Sequence, residues 1–354
     1  MSGTARPEGD ASRKAGDAAR QTNDRAPRAS GARAGEHAIG EFELIRRFFD
    51  RGPARRALLG MGDDCALLGP PAAGSSLAIS TDMMVGGRHA FDDVDPSALG
   101  HKALAVNLSD LAAMGARPLA FTLALSLPQA DERWLGSFHD GLFALADRFD
   151  CELVGGDTTR GPLNVCITVF GEVPPEAALR RDRVEPGDDL WVSGELGAAA
   201  YAVAERKAQR ALAEDHPARR RLERPEPRVA LGLALRHLAR AAIDLSDGLA
   251  GDLGHLLERS RVGAQLDWSS VPLAPELVEL PQERQMALAL SGGDDYELLF
   301  AAAPENRVAI DALAARLGLP LTRIGCFDAG ETLHVVDARG RPIAWRSRGF
   351  DHFA

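Results

Sequence analysis

Apolar side chains recur along this chain with two periods, and the alternation between them outlines the fold. Phe42, Ile45, Phe48 and Phe49 repeat at helical spacing and predict a helix over residues 40–50. Residues 77–80 read as a strand that ends in Thr81-Asp82. Asp95-Pro96 pairs a capping residue with a proline at the first helical position, opening a helix that runs to Gly115 with Leu104, Leu108 and Leu111 as its apolar stripe. Asn107 and Asp110, three apart, share another face of it. Residues 119–127 and 163–173 look like strands. Between them Trp134, Phe138, Leu142, Leu145 and Phe149 mark an amphipathic helix, followed by a short strand over 151–154.

A charged stretch over residues 180–187, closed by Pro186-Gly187, marks a boundary between two domains, 39–180 and 181–354. The second half continues with a strand over 190–193, a helical stretch after Gly197, and a charged loop over 205–227. A helix, a strand over 241–244, a helix over 249–259, a strand over 296–301, and a last helix with strands complete it. Strands and helices alternate without the strict repeat of a doubly wound sheet, so the expected class is mixed α/β, or α+β, in two domains. Residues 1–38 are rich in Ala, Arg, Gly, Asp and Ser and hold almost no large apolar side chains. Such a segment cannot offset its ordering entropy, and a disordered tail is expected.

Length and charge narrow the picture. A chain of 354 residues suits two domains. A formal charge of −10 and a pI near 5.4 argue against a nucleic-acid binder, which normally shows a basic face. Cys65, Cys151, Cys166 and Cys326 form no Cys-x-x-Cys pair, as expected of reduced core cysteines. No apolar run reaches the roughly 20 residues of a membrane span, and no secretory h-region is visible, so the cytoplasm is the expected compartment.

Chemistry enters through carboxylates at Gly-rich turns and element ends. Gly62-Asp63-Asp64, Ser80-Thr81-Asp82, Asn107-Leu108-Ser109-Asp110, Gly155-Gly156-Asp157, Asp244-Leu245-Ser246-Asp247 and Gly292-Gly293-Asp294-Asp295 all adjoin apolar runs. Carboxylates that converge repel and resist desolvation, so a fold that gathers them needs cations. Hard oxygen donors point to Mg²⁺, whose remaining ligands are usually water and substrate phosphates. Each motif also has a plainer reading. Gly-Asp-Asp suffices for a turn, as at Gly187-Asp188-Asp189, which is not assigned to the site. Asp110 in an Ala/Leu-rich helix needs a partner, either a metal or a structural hydrogen bond or ion pair with Lys102 or Arg117. The glycines before Asp157 serve a plain turn or the close approach of a phosphate. Helix capping explains one of Asp244 and Asp247, not both. His89 alone is an ordinary imidazole. Two short echoes link the halves: Gly-Asp-Asp-x-x-Leu-Leu at Gly62 and Gly293, and Leu-Ser-Asp after Asn107 and Asp244. They are compatible with similar turns in both halves. No P-loop, protein-kinase or Rossmann signature is present, so a nucleotide would be held through metals and scattered contacts.

These motifs resemble those of the thiamine-monophosphate kinase family, from Gly40-Glu41-Phe42 to Gly349-Phe350-Asp351-His352-Phe353. The resemblance implies the two-domain fold shared with aminoimidazole-ribonucleotide synthetase and selenophosphate synthetase, with a homodimer whose N-terminal domains build a β-barrel. It implies the last step of thiamine diphosphate biosynthesis, ATP-dependent phosphorylation of thiamine monophosphate, by direct in-line transfer with several Mg²⁺ ions. Matched position by position, it implies metal ligation by Asp64, Ser80, Thr81, Asp82, Asp110, Asp157, Asp244 and Asp247. Gly156, Asp157, Arg181 and Ser246 match nucleotide contacts, and His89, Asp294 and Phe353 match the acceptor side. Asp82, Asp110, Asp157 and Arg181 would carry the transfer. The chain departs from the family at Asp294, where relatives carry Glu, at Met83-Met84, and at Ala90 after His89. Two rivals stand beside this reading. One is another ATP-dependent synthetase of the same fold; the selenophosphate enzymes use an N-terminal Cys or selenocysteine, and residues 1–38 hold no Cys. The other is a metal-binding protein without catalysis.

Overall fold

The computed structural model describes residues 40–345, so Phe353 and the predicted tail over 1–38 lie outside the described residues. Helix α1 (Glu41–Phe48) forms where the helical spacing predicts, but it buries Leu44 and the Phe49 that follows it, half-buries Ile45 and Phe48, and leaves Phe42 exposed. A small ribbon follows, β1 (Ala57–Leu59) with β2 (Leu67–Leu68). Then come β3 (Ser76–Val85), α2 (Pro96–Ala113), β4 (Arg117–Leu127), α3 (Glu132–Arg148), β5 (Glu152–Arg160) and β6 (Asn164–Val173). The four long strands form an open sheet in the order β3-β6-β4-β5, antiparallel except for the β4–β5 pair. No closed barrel is seen among the described residues.

The second half begins with β7 (Asp189–Ser193) and three helices, α4 (Ala198–Lys207), α5 (Pro217–Glu223) and α6 (Val229–Leu235). It continues through β8 (Ala241–Asp244), α7 (Leu249–Ser260), β9 (Gly263–Asp267), α8 (Gln282–Leu290) and β10 (Leu298–Ala302). Helix α9 (Arg307–Leu317), β11 (Leu321–Asp328) and β12 (Leu333–Val336) end it. Its six strands run β12-β9-β11-β7-β10-β8, with β12–β9 the parallel pair. The stretch 205–227, expected as a loop, contains α5, which starts at Pro217 and buries Ala218 and Leu222. No described helix is long and apolar enough to cross a membrane.

Helix α2 is the spine of the arrangement. Asp95 caps it as predicted, its carboxylate accepting the Ala98 N–H at 2.8 Å. The expected single stripe is not what packing produces, because 14 of its 18 residues are buried. Neighbours on several sides leave no solvent face, so the sequence carries no amphipathic period there. Its Leu104, Leu108 and Leu111 belong to a core that also takes in Ala242, Phe300 and Ile310 from the second half. A further core lies wholly within the second half, around Leu253, Leu266 and Ile324. The two halves therefore share apolar packing across the charged boundary.

Where α2 crosses α3 the backbones touch. A Cβ built on Gly141 would fall 1.8 Å from the Ser97 carbonyl oxygen. Gly141→Ala should therefore force the helices apart and cost about 1–3 kcal/mol, read as a lower Tm. An unchanged Tm would show that the crossing yields freely.

Candidate active site

Helix α2 points polar groups in two directions, and both are taken up by motif residues. Toward β3, Asn107 Oδ1 accepts the Asp82 N–H at 3.1 Å while Asn107 Nδ2 donates to the Ala103 carbonyl at 2.9 Å. Ser80 Oγ donates to Asp110 Oδ2. Toward the second half, Ser109 Oγ donates to Asp244 Oδ2 at 2.7 Å, and Lys102 Nζ stands 3.1 Å from Asp294 Oδ1. Asp110 therefore pairs with neither Lys102 nor Arg117, the two ion-pair partners its sequence context suggested. Arg117 is spent on Glu172.

Asp82 does not end its strand, as the apolar run before it suggested. It sits within β3 opposite Ile167, because β6 offers partners all the way to Val85. Alternation along β3 puts Ser80 and Asp82 on the face toward α2 and Thr81 on the other, where its hydroxyl lies 2.9 Å from that of Thr168. Gly156 and Asp157 likewise lie inside β5 rather than after a strand. Asp157 pairs with Ala124, Ala124 with Cys166, and Cys166 with Met83. It is thus on the opposite face from Asp82 and three strand spacings away, about 14 Å.

The loop after β8 supplies the next ligand candidates. Asp244 closes the strand and is buried; Ser246 and Asp247 follow before α7 begins. Asp252, on α7, turns back to accept the Asp247 N–H at 3.0 Å. The Ser291–Asp295 segment lies directly on this loop, with Asp294 N–H donating to the Ser246 carbonyl and Tyr296 N–H to that of Leu245, at 3.0 and 2.9 Å. Such closeness needs glycine: a Cβ on Gly293 would sit 2.1 Å from Ser246 O. Asp295 points away and accepts the Gly197 N–H through both oxygens, at 3.0 Å each.

These elements enclose a cavity of about 150 Å³ lined by Asp82, Asp110, Asp244, Asp247, Asp252, Arg181, Ser246, His255 and Tyr296. A larger cavity of about 340 Å³ adjoins it, sharing Asp110 and Arg181, with an apolar wall of Ala78, Ile79, Leu111 and Ala242. Burial, with the charge of Asp110, pushes Asp82 up to about 6. Burial raises Asp110 too, against the Ser80 hydrogen bond and the Arg181 charge. Asp244 is raised by burial and then by Asp110, and burial lifts Asp252 to about 7. The structure thus gathers Ser80, Asp82, Asp110, Asp244, Ser246, Asp247 and Arg181. It keeps Asp64, exposed after β1, and Asp157 outside the cavity. His89 lies in the turn after β3, Nδ1 accepting the Val85 N–H at 3.0 Å. Asp252, His255, Tyr296 and Ser109 were not singled out by sequence. Ser109 sat in view inside Asn-Leu-Ser-Asp, whereas the others follow motif residues without a spacing of their own.

The donor set suits Mg²⁺: hard oxygens, enclosed, with Asp82, Asp110, Asp244 and Asp252 held above their usual range chiefly by burial. Among the described residues no three His, Cys, Asp or Glu side chains stand ready as a complete metal cage. Mg²⁺ on one or two carboxylates and substrate phosphates does not require one.

Comparison with known proteins places this geometry. The AIR synthase related protein N-terminal domain matches residues 62–173, and the C-terminal domain of the same family matches 185–338. Thiamine-monophosphate kinase of Escherichia coli (strain K12) is 48% identical over 324 residues, covering 90% of this chain and 99% of that one. This chain belongs to the thiamine-monophosphate kinase family. A crystal structure of thiamine-monophosphate kinase from Stenotrophomonas maltophilia superposes with a TM-score of 0.77 at 47% identity, covering 85% of this chain and 96% of that one. The AaThiL structure complexed with AMPPCP and TMP gives 0.70 at 29% identity, over 80% and 89%. The kinase family membership agrees with the resemblance read from the motifs.

The raised carboxyls have a measurable consequence. Asp82, Asp110, Asp244, Asp252 and Asp295 all bind protons more tightly folded than an unfolded chain would. Stability from such groups is complete below the unfolded value near 4 and is lost as pH rises through the folded values. His101, lowered by burial, pulls the other way, while carboxylates held low by arginines, such as Asp147 and Glu172, change stability mainly below this window. In EDTA, Tm should fall between about pH 4.5 and 7.5, Mg²⁺ should shrink the fall, and Asp82→Asn should flatten it. A Tm that rises across this window would show the carboxyls to be ordinary.

Proposed function

We propose that this protein is a kinase that transfers the γ-phosphoryl group of ATP to the phosphate of thiamine monophosphate, giving ADP and thiamine diphosphate. The observation that carries the reading is the gathering of Asp82, Asp110, Asp244 and Asp247 on one cavity with Arg181. It occurs in a chain 48% identical, nearly end to end, to the E. coli enzyme. The complex of a relative with AMPPCP, an ATP analogue, and TMP supports both substrates.

Asp82, Asp110, Asp244 and Asp247, with the Ser80 hydroxyl, would hold Mg²⁺, which supplies neutralising charge and a template for in-line displacement. Arg181 and Ser246 meet the nucleotide, with Gly156. Asn107 and Ser109 fix Asp82 and Asp244 from α2, so that the acidic groups are aimed before substrate arrives. The acceptor is already an anionic phosphate and needs no strong general base, in keeping with the absence of one from the assignment. Recognition of the acceptor falls to His89, Asp294 and Phe353. The ATP- and metal-binding work falls to a domain over 39–180, completed by one over 181–354, in the cytoplasm.

The homodimer belongs to the same reading. Strands β3 and β5 are the two edges of the N-terminal sheet, and its outer face exposes Leu77, Ile79 and Met83. A second copy that lays its β5 beside β3 covers that face in a β-barrel and brings its Asp157 toward Thr81 and Asp82. Light scattering that finds a fully active monomer would remove this arrangement.

With ATP, Mg²⁺ and thiamine monophosphate the protein should form thiamine diphosphate, EDTA should stop it, and free thiamine should be a poor acceptor. Asp82→Asn and Asp110→Asn should each lower kcat by about 10²-fold or more with the fold intact. Equal use of thiamine and its monophosphate would sink the proposed acceptor, and near-normal activity of either variant would take that Asp out of the site.

A further inference from the structure

Lys102 makes a polar contact from α2 to which the reaction above gives no task. Its side chain is 7% exposed, and its ammonium stands 3.1 Å from Asp294 Oδ1. An ammonium so enclosed is costly without a partner, and here the partner comes from the other half of the protein. Asp294 is itself unusual. Its φ is +72° and that of Tyr296 is +49°, a left-handed region that side-chain-bearing residues seldom adopt. Such backbone persists where surrounding contacts over-determine it, and it concentrates at functional sites. The contacts are on hand: the Asp294 N–H on the Ser246 carbonyl and the Lys102 ammonium on one side of the carboxylate, with Tyr296 two residues on. Tyr296 lines the carboxylate cavity, while the Asp294 side chain stays 31% exposed.

Helix α2 thereby reaches the metal side and the acceptor side with one rigid element. Ser109 touches Asp244, and Lys102, about two turns earlier, touches Asp294. We infer that Lys102 is a positioning residue for the acceptor: its ion pair holds the Asp294 carboxylate, against the left-handed backbone, in the orientation that meets thiamine monophosphate. This rests on the assignment of Asp294 to the acceptor side. It adds a residue that sets acceptor affinity without touching the acceptor, and it ties that affinity to the helix that aims Asp110.

Steady-state kinetics with each substrate varied tests it. Lys102→Met should raise the KM for thiamine monophosphate at least tenfold and leave that for ATP within about twofold. Lys102→Arg, which keeps the charge, should recover most of the loss and serves by itself if the Met variant does not fold. The double variant Lys102→Met with Asp294→Ala should have an acceptor KM no higher than Asp294→Ala alone, since both remove one interaction. Effects that multiply in the double variant, an equal rise in both KM values, or an Arg variant as impaired as Asp294→Ala would overturn the inference. A change confined to Tm would do the same and leave the pair a plain structural link. Wild-type protein assayed alongside separates the two levels. No turnover of thiamine monophosphate overturns the functional reading itself, whereas normal turnover with an unaffected Lys102→Met overturns this inference alone.

Discussion

Everything in the described fold turns on carboxylates brought together out of water. Asp82, Asp110 and Asp244 lie close enough for the charge of Asp110 to raise the other two, and burial adds the larger share. Left alone, such a group pushes its own elements apart. The protein counters this locally with neutral donors, Ser80 on Asp110 and Ser109 on Asp244, and with the Arg181 charge. What these donors do not offset is the remaining repulsion, which a bound cation would relieve.

A rigid frame is needed to impose that geometry, and α2 provides it. Buried along 14 of its 18 residues, it cannot rotate without breaking the core it shares with both halves. Asn107 and Asp110 then face β3 while Lys102 and Ser109 face the loops of the second half. A second ionic centre braces those loops from behind. Glu297, 1% exposed, is held by Arg228 and by Ser193 Oγ, and its carbonyl accepts the Leu245 N–H. The turn that carries Asp244 to Asp247 is thus anchored at both ends.

The short repeats in the sequence show how little a motif says without its setting. Gly62-Asp63-Asp64 lies exposed between β1 and β2, whereas Gly293-Asp294-Asp295 is wedged against the β8–α7 loop. Asn107-Leu-Ser-Asp is the middle of a helix, and Asp244-Leu-Ser-Asp is the end of a strand. Identical letters serve unlike tasks here, and the echoes do not record a shared turn.

The sequence by itself determined most of the elements, though not α5, and most of the acidic residues that line the cavity. Capping at Asp95, helical spacing around Phe138 and apolar runs at β6 and β8 are local effects, decided by neighbours a few residues away. The family was legible for the same reason, since its motifs are contiguous. Only the tertiary structure decided which residues meet. Asp82 lies mid-strand because β6 extends the pairing; Asp157 falls on the far face because alternation along β5 turns it there. Lys102 finds Asp294 rather than Asp110 because the two Asp residues sit on different sides of a helix buried all round. Asp252 and Ser109 gain their roles from contacts with residues near or far in sequence that no periodicity encodes. Contact across 135 residues, as between Ser109 and Asp244, is set by how cores pack, and packing is a property of the whole chain.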